Sequence, residues 1–206
     1  MNTLTVLAGP TAVGKGTVSA YIREHFPQVW FSVSATTRPA RPGEIDGVHY
    51  LFRTEEEFDA MIDAGELLEH ATVHGRYRYG TPAGPVREAL DAGHAPLLEI
   101  DLQGARQVKE ALPDARFVFL APPSWSELVR RLIGRGTESP EEQARRLETA
   151  QAELAAESEF DHTVVNHDVR TAAQDLVGLM GLSVDDQVDP ADDPVGQVGS
   201  PESNGV

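Results

Sequence analysis

Apolar positions in this chain follow two alternating rhythms. Continuous runs at Leu4-Thr5-Val6-Leu7-Ala8, Pro96-Leu97-Leu98-Glu99-Ile100 and Arg116-Phe117-Val118-Phe119-Leu120 read as buried strands. Val29-Trp30-Phe31-Ser32-Val33 and Thr163-Val164-Val165-Asn166 read the same way. Between them the spacing becomes helical, first at Val18, Ile22 and Phe26. Further helices are expected after Asp101 to about Leu112, from Ser124 to Ile133, from Ser139 to about Ala156, and after Asn166 to about Met180. Their starts carry caps: Ser124 with Glu127, and Ser139-Pro140-Glu141-Glu142. Strands alternating with helices predict an α/β fold, a parallel sheet with helices on both faces.

The stretch from about 34 to 83 breaks that alternation. Ser34 to Glu44 holds Pro39, Pro42 and Gly43 and reads as an ordered loop. Val48 to Phe52 and Leu67 to Val73 read as strands, with a capped helix between them. Thr54 and Glu57 form its capping box, and Gly65 its stop. Tyr77 to Gly80 reads as a turn, and Thr81-Pro82 starts a helix ending near Gly93, with Thr81 as its N-cap. The expectation is a small α+β domain inserted into a core of residues 1–33 and 84–182. From Ser183 the apolar period stops. Asp185, Asp186, Asp189, Asp192, Asp193 and Glu202 stand without a basic residue, which predicts a disordered acidic tail over 183–206.

Chemistry enters at Gly9-Pro10-Thr11-Ala12-Val13-Gly14-Lys15-Gly16-Thr17. Gly9, Gly14 and Lys15 have the spacing of a phosphate-binding loop, between a predicted strand and a predicted helix as that motif requires. A polyphosphate needs converging backbone N–H groups, a helix N-terminus and one mobile cation. The fold is therefore expected to be P-loop NTPase-like. One position departs: Gly16 stands where a magnesium-binding Ser or Thr is usual. Thr17 then becomes a candidate phosphate contact.

Composition narrows the field. The 206 residues suit one domain and a tail, and the absence of cysteine excludes disulfides and thiolate chemistry. A net charge of −16 argues against nucleic acid as partner. No apolar run is long enough for a membrane span and no leader pattern opens the chain, so the cytoplasm is expected. Seven histidines are scattered, and no structural metal is expected. Cations are scarce and clustered. Lys15 and Lys109 are the only lysines, while Arg38 with Arg41, and Arg131, Arg135, Arg145 and Arg146, fall in groups. An acidic protein that binds an anion must gather its cations in this way.

Taken in order over about residues 3 to 182, these segments resemble the guanylate kinase family of nucleoside monophosphate kinases. The residues that carry the resemblance are the loop Gly9 to Thr17, Phe31 to Arg38, Arg41-Pro42-Gly43-Glu44, Gly47, Tyr50, Leu68-Glu69 and Tyr79-Gly80-Thr81. They continue with Glu99 to Ala105, Ala121-Pro122-Pro123-Ser124, Arg131 to Gly136, and Val165-Asn166. The resemblance implies transfer of a phosphoryl group from Mg-ATP to GMP, with dGMP as a further acceptor. It places ATP on the loop and on Asn166, which would contact adenine. Arg131, Arg135 and Arg146 would face the ATP phosphates, on a lid spanning about 124–157. Arg146 is preferred over its neighbour Arg145, since adjacent helical residues point about 100° apart.

The same resemblance assigns Arg38, Arg41, Tyr50 and Tyr79 to the GMP phosphate, with Tyr77 as the alternative to Tyr79. Glu69 and Asp101 would accept hydrogen bonds from guanine N1–H and N2–H₂, which adenine cannot donate in that pattern. Ser34 and Thr81 would reach the O6 and N7 edge. Glu99 would act near Mg²⁺ through water. Catalysis would fall to Lys15, Arg38, Arg131, Arg135 and Arg146. Oligomeric state is left open. Two rivals are a peptide-binding scaffold domain and a kinase of sugar bisphosphates. The intact loop argues against the first; Glu69 and Asp101 argue against the second.

Overall fold

The computed structural model describes residues 3–73, 75–133 and 139–188, the side chains at 140 and 142 aside. Five parallel strands make the central sheet in the order β2-β7-β1-β8-β9. They are β1 (Thr5–Ala8), β2 (Val29–Phe31), β7 (Ala95–Glu99), β8 (Arg116–Ala121) and β9 (His162–Val165). Their sequences are continuously apolar because both faces are covered. On one face Leu7, Leu97, Val118 and Leu120 pack with Val18 and Ile22 of α1 (Lys15–His25), with its C-cap Phe26, and with Ala173, Leu176 and Val177 of α7 (Val169–Leu179). On the other face Val6, Ala8, Leu98, Phe117 and Phe119 pack with Val86 of α3 (Ala83–Asp91) and with Ala105 and Val108 of α4 (Leu102–Ala111). Neighbouring residues on β1 serve opposite cores, as the two-residue strand period demands.

A second sheet lies between β2 and α3. Its order is β4-β3-β6-β5, from β3 (Ala35–Thr36), β4 (Leu51–Phe52), β5 (Leu67–Val73) and β6 (Tyr77–Pro82). Only β3 and β4 run parallel. The helix α2 (Glu55–Asp63) has the expected capping box: the Glu57 amide donates to Thr54 Oγ1 and the Thr54 amide to Glu57 Oε2. Gly65 follows at φ 65°, the left-handed stop expected of it.

Several local expectations are corrected. Residues 77–80 are strand, not turn, because β6 pairs with both β5 and β3. The loop after Ser34 contains β3, and the expected strand at Val48 shrinks to Leu51–Phe52. Thr81 is the penultimate residue of β6 and caps nothing; Pro82 holds the N-cap position of α3 without a side-chain bond.

The segment expected to form a lid contains α5 (Trp125–Ile133) and α6 (Pro140–Ala155). Arg135 lies outside the described residues. The expected tail also begins with order. The Val188 amide donates to the His25 carbonyl, and Gln187 Nε2 to the Tyr21 hydroxyl, so 183–188 are fixed to α1. Residues 189–206 lie outside the described residues. No helix among the described residues is long and apolar enough to cross a membrane.

Candidate active site

Parallel strands deliver their C-terminal ends to one edge, where α/β folds place ligands. The loop after β1, Glu99 ending β7, Asp101 beyond it and Asn166 after β9 all reach that edge. The loop's glycines are sterically required. A Cβ at Gly9 would stand 2.4 Å from the Leu120 carbonyl oxygen. Gly14 has φ 104°, and a Cβ there would stand 2.6 Å from Asn166 Nδ2. Gly14 is also the N-cap of α1 and offers no side chain, so the helix's first amides are left for a ligand.

Lys15 Nζ donates to the carbonyls of Gly9 (2.7 Å) and Pro10 (3.3 Å), folding back over its own loop. Burial holds its ammonium below the ordinary lysine range, against the opposing pull of Glu99, Glu153 and Asp101. Arg131 Nη1 and Asn166 Nδ2 both donate to the Val13 carbonyl, at 3.0 and 2.9 Å. Glu127 accepts from Arg131 Nε and steadies it. Arg146 is half-buried on α6. The Thr11 amide donates to a carboxylate oxygen of Glu153 on α6, 2.8 Å away. An internal anion thus rests on the phosphate loop.

Beside the loop lies a cavity of about 200 Å³, lined among others by Lys15, Ser34, Tyr50, Glu69, Tyr79 and Asp101. A larger cavity of about 590 Å³ shares Ser34, Tyr50 and Glu99 with it and reaches Gly16. Glu69 is 5% exposed, and its Oε1 accepts from Thr81 Oγ1 at 2.7 Å. Burial pushes its carboxyl up to about 7; the Thr81 bond pulls the other way, and Asp101 adds to the rise. Asp101 is exposed and caps α4, accepting at Oδ1 from the Gly104 amide.

Arg38 is buried, and its two terminal nitrogens donate to the two carboxylate oxygens of Glu44 at 2.9 and 2.8 Å. Its Nε donates to the Tyr79 hydroxyl at 3.2 Å, and its guanidinium lies 5.3 Å from the Tyr50 ring centre. Those hydrogen bonds hold the Glu44 carboxyl well below the usual carboxylate range. Tyr50 and Tyr79 pack edge to face, so the structure puts Tyr79, not Tyr77, beside Arg38. Arg41 is exposed, and its amide donates to Glu44.

The expected residues therefore fall into two adjoining groups: the loop with Lys15, Arg131 and Asn166, and the cavities with Ser34, Tyr50, Glu69, Tyr79, Thr81 and Asp101, where Arg38 joins through Tyr79. Sequence reasoning gave no part in the site to Glu44, Glu127, Glu153 or Gly104, although it placed Glu127 in the cap with Ser124, where its amide donates to Ser124 Oγ. Glu44 was visible as an acid six residues after Arg38 across a Pro-Gly loop. Glu153 on Thr11 had no local signal.

A phosphate loop at the carboxyl edge of a parallel sheet, with a guanidinium, two phenols and a buried carboxylate across a cleft, defines a P-loop phosphotransferase. A family model described as guanylate kinase matches residues 1–181. The guanylate kinase of Leifsonia xyli subsp. xyli is 68% identical over 177 residues, covering 86% of this chain and 70% of that one. That of Frankia casuarinae is 64% identical over 177 residues, covering 86% and 96%. The crystal structure of guanylate kinase from Anaplasma phagocytophilum matches with TM-score 0.69 at 31% identity, covering 91% of this chain and 90% of that one. The chain belongs to the guanylate kinase family.

Proposed function

We propose that this chain transfers the γ-phosphoryl group of ATP to GMP, giving ADP and GDP, with the residues above in the following roles. An oxygen of the GMP 5′-phosphate forms a bond to the γ-phosphorus. The bond to the β,γ-bridging oxygen breaks, and ADP leaves with its electron pair. No protein nucleophile is required, so the chain supplies position and countercharge. The loop from Gly9 to Thr17 holds the ATP phosphates on its amides. Lys15 leaves the Gly9 and Pro10 carbonyls for the phosphates, and its partial burial strengthens that attraction. Arg131, Arg135 and Arg146 close over ATP from the lid, and Asn166 reaches adenine with the part of its amide not given to Val13.

Arg38, Arg41, Tyr50 and Tyr79 take the GMP phosphate. Glu44 presents to Arg38 the same two-oxygen geometry that a phosphate offers, so it keeps the fork ordered until GMP arrives. Glu69 and Asp101 accept from guanine N1–H and N2–H₂; Ser34 and Thr81 serve the O6 and N7 edge. Every proposed contact goes to base or phosphate and none to the sugar, so dGMP is accepted as well.

Magnesium is proposed as the partner of ATP. Glu99 suits it: its Oε1 lies 3.6 Å from where a Cβ on Gly16 would stand, so a hard oxygen donor sits beside the position that lacks a hydroxyl. When bound, the ion neutralises charge on the phosphate oxygens. The protein acts in the cytoplasm, within purine nucleotide metabolism.

The observation that carries this reading is the single cleft joining Lys15 to Glu69, Asp101 and Tyr79. Coupled ADP release with GMP, AMP, UMP, CMP and ribose 1,5-bisphosphate tests it. Turnover is expected with GMP alone and lost in Lys15→Ala; turnover with the sugar bisphosphate in place of GMP would refute it.

A further inference from the structure

We propose that Gly104 sets the protein's selectivity for guanine: its lack of a side chain leaves the space in which the Glu69 carboxylate stands, beside an Asp101 carboxylate held by the Gly104 amide. The proposal rests on the assignment of Glu69 and Asp101 to guanine. Gly104 is buried in the first turn of α4. Its amide donates to Asp101 Oδ1 at 2.7 Å, which orients that carboxylate. A Cβ placed on it would lie 2.7 Å from Glu69 Oε2, 3.1 Å from Glu69 Cδ and 3.4 Å from Asp101 Oδ1. Non-bonded carbon contacts are comfortable only at about 3.5–4.0 Å. Glu69 therefore occupies the space a Gly104 side chain would fill.

Glycine is a poorer helix former than alanine, so nothing in the helix itself calls for it. Nor is φ a reason, since Gly104 is not among the positive-φ glycines of the described residues. The requirement comes from the carboxylate. Its other oxygen is held by Thr81 Oγ1, so a methyl group at 104 turns the carboxylate about that bond and away from α4. Guanine presents its N1–H and N2–H₂ donors at fixed spacing. Acceptors displaced by a fraction of an ångström lose that match, and sites of this kind tolerate about 0.5 Å. The overlap is with the end of a side chain and not with backbone, so the strain lands on ligand geometry and spares the fold.

The test compares steady-state kinetics of the full chain and its Gly104→Ala, Glu69→Asp, Glu69→Gln and Gly104→Ala/Glu69→Asp variants with GMP and AMP. Gly104→Ala is expected to keep or raise Tm and to leave the KM for ATP unchanged. Its KM for GMP should rise about tenfold with kcat nearly intact, and the GMP-to-AMP ratio of kcat/KM should fall in step. Asp is one methylene shorter than Glu, so the double variant should bind GMP better than Gly104→Ala alone. An unchanged KM for GMP and an unchanged ratio in Gly104→Ala would overturn the proposal. So would penalties that multiply in the double variant, or a fall in Tm with both KM values rising together. Glu69→Gln separates the two levels. If it leaves GMP binding intact, the guanine assignment fails and the proposal with it. If it weakens GMP while Gly104→Ala is silent, the role of Gly104 alone is refuted.

Discussion

Glu69 shows how much a single burial can control. Its carboxyl stands at about 7 because desolvation penalises the charged form more than the Thr81 hydroxyl relieves it. An acid whose value is raised on folding binds its proton more tightly folded than unfolded. The folded state therefore loses stability as pH rises from about 4.5 to about 7, and above that the deficit is constant, about 3 kcal/mol at most. Glu69→Gln should flatten the dependence of Tm on pH across that window. Ligand binding runs the other way. Guanine needs an acceptor, so the KM for GMP should rise about tenfold per pH unit on acidification below about 7, and Glu69→Gln should remove this slope along with most GMP affinity. Lys15→Ala, read in the same assay at pH 8, should lower kcat by about 10²–10³-fold, the usual cost of removing one preorganised charge from a developing anion.

At the level of elements, legibility followed how local the cause was. The capping box at Thr54 and Glu57, the stop at Gly65 and the strand Leu67–Val73 are written in neighbouring residues, and the structure has all three. Thr54→Ala should accordingly cost about 1 kcal/mol, measurable by urea unfolding. The strand Tyr77–Pro82 is written elsewhere. Gly80 and Pro82 spoil its local pattern, and it exists because β5 and β3 flank it. The site divides in the same way. The phosphate loop is legible because its spacing is its mechanism. The Glu44 fork on Arg38, the Glu153 contact with Thr11 and the space that Gly104 leaves for Glu69 each join residues whose meeting only the tertiary fold decides.

Across the whole molecule, the segment 183–188 ties the chain's last described residues to α1, the helix that follows the phosphate loop. These contacts are few and partly exposed. A chain ending at Leu182 should keep full kcat and lose about 1–2 kcal/mol of stability, as judged by thermal unfolding.

The contact between Glu153 and the Thr11 amide has a thermodynamic consequence for the proposed nucleotide cycle. If the loop amides take the ATP phosphates as proposed, a carboxylate on α6 that accepts from one of them is a competitor that never diffuses away; its effective concentration is fixed by the fold. Linkage makes the competition reciprocal. Whatever the carboxylate gains on the loop is subtracted from ATP's apparent affinity, and ATP returns the same amount by freeing α6. Calorimetric titration should therefore show Glu153→Gln binding ATP more tightly than the parent.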